Sequence, residues 1–134
     1  MNIASFDDLL LAARQQPTAQ RLLLVFAGAS LPPDATPEQR AAFDAGQGGE
    51  LAPLMCVDKT PDELDGFATL VSEAEQFGQP WVIVFAAALS GSATQAPSSD
   101  DAQAPLQRMV ESVKAGQIGA FIPFDRSGRA VRLA

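Results

Sequence analysis

The sequence predicts an α/β fold. One domain over residues 1–134 should hold a mostly parallel or mixed sheet of about five strands, with helices on both faces and a C-terminal β-hairpin. Three observations carry this expectation. The runs RLLLVFAG (Arg21–Gly28) and WVIVFAAAL (Trp81–Leu89) are short and continuously apolar, as strands buried on both faces are. Segments with helical spacing separate the strand-like runs, so the two element types alternate. Near the end, the apolar runs IGAFIPFD and RAVRL flank Arg126-Ser127-Gly128, which reads as a hairpin turn.

In order, Ser5 is placed to cap a first helix. Asp7 and Asp8 lie in its first turn, where the helix dipole favours acids, and Phe6, Leu9, Leu10 and Ala13 form its apolar stripe. Pro17 ends it, and Arg21–Gly28 follows as a strand. ASLPPDA (Ala29–Ala35) reads as a loop, because consecutive prolines cannot continue a ladder. Thr36-Pro37-Glu38-Gln39 starts a short helix that stops near Gly46, and GQGG (Gly46–Gly49) reads as a flexible turn. Glu50–Asp58 is the second strand. Pro53 within it lacks a ladder donor, which predicts an edge or early-strand position.

Thr60-Pro61-Asp62-Glu63 is a capping box, and Leu64, Phe67, Ala68, Val71 and Ala74 continue it as a helical stripe up to Gly78-Gln79-Pro80. Trp81–Leu89 is the most strand-like run and predicts a central strand. Ser90–Ala104 (residues 90–104) is low in complexity and reads as a mobile loop. Leu106, Met109, Val110 and Val113 define a last amphipathic helix, closed by Lys114 and Gly116. The predicted order is α-β-α-β-α-β-α-β-β.

Composition narrows the function. The chain has no histidine, no tyrosine and one cysteine. That removes Ser-His-Asp and Cys-His catalysis, internal disulfides and most zinc or non-haem iron sites, so no metal or cofactor is expected. The net charge is −7, and it is polarised: acids dominate from Asp34 to Glu75, and bases dominate from Leu106 to Ala134. An acidic chain without a long basic face is not expected to bind nucleic acid. No apolar run reaches the ~18 residues of a membrane span and no signal peptide is evident, which predicts a cytoplasmic protein with no membrane partner.

Candidate site residues follow from the expected sheet. In open α/β sheets ligands bind beyond the carboxyl ends of strands. Those ends carry Ser30, then Asp58, Lys59 and Thr60, then Ser90. If the strands are parallel neighbours, the groups converge: Asp58 as acid or base, Lys59 as anion holder, and the amides after Thr60 as a phosphate seat. The plainer alternative is that Asp58 and Lys59 are solvated turn residues and Thr60 is only a cap. Cys56 is a candidate reactive thiol if Lys59 activates it, and otherwise a small buried apolar residue. Arg126, Arg129 and Arg132 form a candidate anion or partner patch, or protect an edge hairpin from aggregation. Phosphate-loop and dinucleotide fingerprints are absent.

LLLVFAGASLPPDATPEQRAAFDAGQGG, LAPLMCVDKTPDELDGF and PLQRMVESVKAGQIGAFIPFDRSGRAV together resemble a small family of uncharacterised bacterial proteins. Members often carry the label ribonucleotide reductase alpha subunit. Those catalytic subunits are large barrel enzymes that need several cysteines. A chain with one cysteine matches none of their catalytic positions, so the resemblance implies no activity. GQIGAFIPFDRSGRAVRL, with the strand-helix order, is also partly similar to SseB-like small bacterial domains, which implies an interaction module.

The leading expectation is a non-catalytic cytoplasmic protein-interaction module that binds another protein or a second copy of itself. The alternative is a phosphate- or nucleotide-like ligand site at the strand ends, and a third reading is a redox response through Cys56.

Overall fold

The computed structural model describes residues 3–31, 34–44 and 50–132. The elements are α1 (Phe6–Arg14), β1 (Gln20–Ser30), α2 (Pro37–Asp44), β2 (Glu50–Lys59), a 3-10 turn (Pro61–Glu63), α3 (Phe67–Glu75), β3 (Ile83–Ser90), α4 (Ser99–Lys114) and β4 (Ile122–Asp125). The strands form a four-stranded sheet in the order β2-β1-β3-β4, and every neighbouring pair is antiparallel.

This corrects the expected parallel or mixed sheet of about five strands. The physical reason is that continuous apolar runs report burial on two faces, not strand direction. Both faces of this sheet are covered. Leu22, Leu24 and Phe26 pack with Phe6, Leu10, Phe67 and Leu70 of α1 and α3. Leu23, Val25 and Ala27 pack with Leu106, Met109 and Val113 of α4. The helix-linked strands β2 and β3 do run in the same direction, since each is antiparallel to β1. β1, earlier in sequence, is inserted between them, and alternation of element types cannot reveal that insertion.

The predicted hairpin is reduced as well. β4 pairs with β3 through Ile83–Ala86, and the return arm is limited to isolated bridges, Phe124 with Ala130 and Ser5 with Arg129. The chain reverses at Gly128, whose φ of +85° suits glycine. A Cβ there would lie 2.8 Å from the Phe67 ring. The return arm is shared between β4 and the start of α1: Asp125 N–H donates to the Arg129 carbonyl and Val131 N–H to that of Pro123, while Phe6 N–H donates to the Gly128 carbonyl and Ala130 N–H to that of Ala4.

Local signals explain the helices. Ser5 and Asp8 close a capping box at α1. Thr36 and Gln39 exchange the equivalent bonds at α2, 2.8 and 3.1 Å long. The predicted turn at Gly46–Gly49 lies outside the described residues, as does Pro32-Pro33. The helix expected from Thr60 onward is broken. A 3-10 turn ends at Glu63, Leu64 is extended, and α3 begins only at Phe67. Asp7 of α1 accepts the Phe67 N–H at 2.9 Å, so one helix caps the next. Replacing Asp7 with alanine should cost about 1 kcal/mol, read from urea midpoints. An unchanged midpoint would mean that this cap does not form.

The stretch 90–104, expected to be a loop, contains the start of α4. Ser98 and Asp101 form a further capping box, which makes the polar run a helix start. Pro105, which precedes the expected stripe from Leu106, lies inside α4.

Candidate functional site

Strand direction decides which candidates meet. Leu22 pairs with Lys59 and Gln20 with Ser90, while Ser30 pairs with Glu50. Ser90 and the Asp58-Lys59-Thr60 turn therefore share one end of the sheet. Ser30 is at the other end, eight residues along β1 from Leu22 and so roughly 27 Å away at strand rise. The structure does not bring Ser30 to that group.

Asp58 and Lys59 are adjacent in β2 and so point to opposite faces. Asp58 faces α4. Its Oδ2 lies 2.7 Å from Arg21 Nη1 and accepts the Ser99 hydroxyl at 2.8 Å. The same guanidinium donates from Nε to the Pro97 carbonyl. Lys59 faces α3, where its ammonium lies 3.2 Å from the Glu73 carboxylate. Each charge of the expected acid–cation pair is neutralised by a different neighbour. Ser90 bonds to buried Gln20.

Thr60 belongs to the turn. Glu63 Oε1 accepts both the Thr60 N–H and the Thr60 hydroxyl, each at 3.0 Å. The Thr60 N–H bond is the chief reason the Glu63 carboxyl is held below its ordinary value, with burial opposing it. A lowered folded value means stability that is present above the unfolded glutamate value of about 4.3 and lost as pH falls through the folded one. Glu63→Gln should therefore lower the urea midpoint slightly at pH 7, and the gap should narrow as pH falls below the unfolded glutamate value and through the folded one. The effect is small because the side chain is half exposed. A gap of the same size at pH 3 would contradict this assignment.

Cys56 is exposed, against the expectation that it is buried. It is not activated either. Desolvation, and then the charge of Asp58, push its thiol above the ordinary value, and Lys59 points to the other face. In the native protein the thiol should react with a disulfide reagent without unfolding. At pH 7 it should do so several-fold more slowly than a free cysteine, because thiolate is scarce. Asp58→Asn should accelerate the reaction, and an unchanged rate would remove Asp58 as a cause.

The arginine patch is dismantled in part. Arg126 ion-pairs with Glu75, donates to the Trp81 carbonyl at 3.3 Å and lies 4.4 Å above the Trp81 ring. Arg129 and Arg132 are exposed. No three-arginine cradle remains.

Two clefts flank these residues. A polar one of about 510 Å³ is lined by Arg14, Thr18, Gln20, Thr60, Asp62 and Thr94. Its donors are already engaged: Arg14 bonds to the Pro61 and Leu64 carbonyls, and Gln20 to Thr18 and Ser90. The second, about 210 Å³, lies between β2 and α3. Phe26, Met55, Val57, Leu70, Ala74 and Phe77 line it, with the Lys59–Glu73 pair at its side. Phe77 is 65% exposed. Sequence reasoning missed this cleft. Phe77 at the end of a helical stripe was its only visible signal.

The cleft adjoins an open edge. β2 is the terminal strand, and the hydrogen bonds of β1 show which β2 groups face outward. The Ala19 and Ala27 carbonyls accept from Gly91 and Val82, so odd residues of β1 face β3. Even residues face β2, and Leu22, Leu24 and Phe26 bond to Lys59, Val57 and Met55. The alternate residues Pro53, Cys56 and Asp58 turn their backbone groups to solvent. Pro53 has no N–H to offer there, and Leu54 is the extra residue of a bulge opposite Phe26 and Ala27. Gly28 makes room for it, since a Cβ would lie 2.8 Å from Leu54 Cδ1. The proline and the bulge blunt one half of the edge, while Cys56–Asp58 stays open.

The chain matches no family model, no curated protein and no solved structure. Among the described residues no helix is long and apolar enough to cross a membrane. No group of three or more acidic or cysteine side chains among them could hold a metal ion.

Proposed function

We propose that this chain is a non-catalytic protein-interaction module. The observation that carries the reading is the apolar cleft under Phe77 beside the open half of β2. Its volume of about 210 Å³ falls below the usual range for small-molecule pockets, roughly 300–1,000 Å³, and suits one or two side chains of a partner. The engaged state of Asp58, Lys59 and Arg126 supports the same reading, because none of these three candidate residues is left poised for chemistry. The partial similarity to SseB-like domains points the same way.

A benzophenone amino acid in place of Phe77, irradiated in cells that make the protein, should yield discrete protein adducts. The same probe in place of exposed Gln107 on α4 should not. Adducts at position 77 no stronger than at position 107 would contradict the proposal.

A phosphate- or nucleotide-like ligand in the polar cleft is the second reading, favoured by that cleft's volume of about 510 Å³. It requires a melting shift with some such ligand that Thr60→Ala abolishes. A broad screen without a shift removes it.

A further inference from the structure

We infer that the occupant of this face is an extended partner segment that adds as a strand to Cys56–Asp58, inserts an apolar side chain beside Phe77 and carries Lys or Arg at its flanks. This rests on the interaction reading above and names the partner class. Antiparallel pairing leaves the N–H and C=O groups of Cys56 and Asp58 pointing outward, and among the described residues no backbone bond reaches them. An added strand satisfies such groups, and pockets for its alternate side chains supply the specificity.

The geometry of the cleft fits that periodicity. Met55, Val57 and Lys59 are the β2 residues whose side chains face α3, and all three line the cleft. A strand laid beside them projects every second side chain onto the same face. The apolar lining of Val57, Leu70, Ala74 and Phe77 selects an aliphatic or aromatic side chain there.

Charge selects the flanks. From Glu50 to Phe77 there are seven acidic residues against the single cation Lys59. Glu73, Glu75 and Asp58 are paired, but Asp62 and Asp65, exposed on the turn just beyond β2, have no ion-pair partner among the described residues. A basic flank would complement them, and an acidic one would be repelled.

The test is a displayed library of nine-residue peptides with alternate apolar positions and Lys, Arg, Glu or Asp at the ends, selected against the full chain. Recovered peptides should be basic-ended. On binding they should slow hydrogen exchange at the Cys56 and Asp58 amides. Phe77→Asp should weaken them at least tenfold, as should N-methylation of alternate peptide amides. Acid-ended winners, or binding that leaves those two amides exchanging freely, would overturn the inference. So would recovery of no peptide. Protection of the same amides without peptide, in a species sedimenting as a dimer, would assign the face to a second copy and overturn it too. In each case, adducts at position 77 still decide separately whether the interaction reading stands.

Discussion

Replacing Phe6 with alanine should destabilise the protein by about 3–5 kcal/mol, the usual cost of deleting a fully buried aromatic ring. Phe6 is 0% exposed. Its ring centroid lies 5.4 Å from those of both Phe67 and Phe124, so it joins α1, α3 and β4 at one point. Its backbone N–H also fixes the Gly128 turn, and that bond survives the substitution. The loss is therefore one of packing, and collapse of the cavity is resisted by elements on three sides. Urea denaturation should show a lower midpoint with an unchanged slope. Leu11→Ala on the same helix, at a half-exposed position, should stay within about 0.5 kcal/mol. A cost below 1 kcal/mol for Phe6→Ala would mean that the three elements do not meet as described.

Asp58→Ala should cost about 2–3 kcal/mol, the range for losing a hydrogen bond to a charged group and stranding its partner. Arg21 and Asp58 are 14% and 12% exposed, so the guanidinium left behind is mostly desolvated. It would keep only the Pro97 carbonyl and a distant Glu63, 3.8 Å away. The pair also ties β1 and β2 to the start of α4, through Ser99. Amides in the first turn of α4 should therefore exchange faster in the variant. Replacing both partners together, Arg21→Met with Asp58→Leu, should recover most of the loss, because no charge is then left alone. Additive losses in that cycle would contradict the coupling. This role is structural, and it replaces the acid–base role that the residue's position at a strand end suggested.

That contrast shows what was readable and what was not. The caps were legible, because Ser5, Thr36 and Thr60 act through residues three positions away. The opposite facing of Asp58 and Lys59 follows from strand alternation as well, but the expected joint site of the two residues passed over it. Direction and order of strands were not. Leu22–Ala27 would be equally apolar in a parallel or an antiparallel sheet covered on both faces, and nothing local says that β1 lies between β2 and β3. This one unknown set the fate of Ser30. Exposure of Cys56 was within reach, because Pro53 predicted an edge position for β2: Met55 and Val57 pack on the α3 face, and an edge strand leaves the residue between them uncovered. The run Ser90–Ala104 was misjudged because its polar residues serve as helix-start ligands, with Ser98 and Asp101 capping α4.

The candidate cleft was the least visible feature. It is assembled from β1, β2 and α3, and only Phe77 signals it locally. Its meaning depends on the open half of β2, which follows from hydrogen-bond parity along β1.

Residue-resolved amide hydrogen exchange along β2 therefore tests the account most directly. The amides of Met55, Val57 and Lys59 should be protected and those of Cys56 and Asp58 should exchange fast, in strict alternation. Uniform protection from Met55 to Lys59, or protection at Cys56 and Asp58 alone, would contradict it.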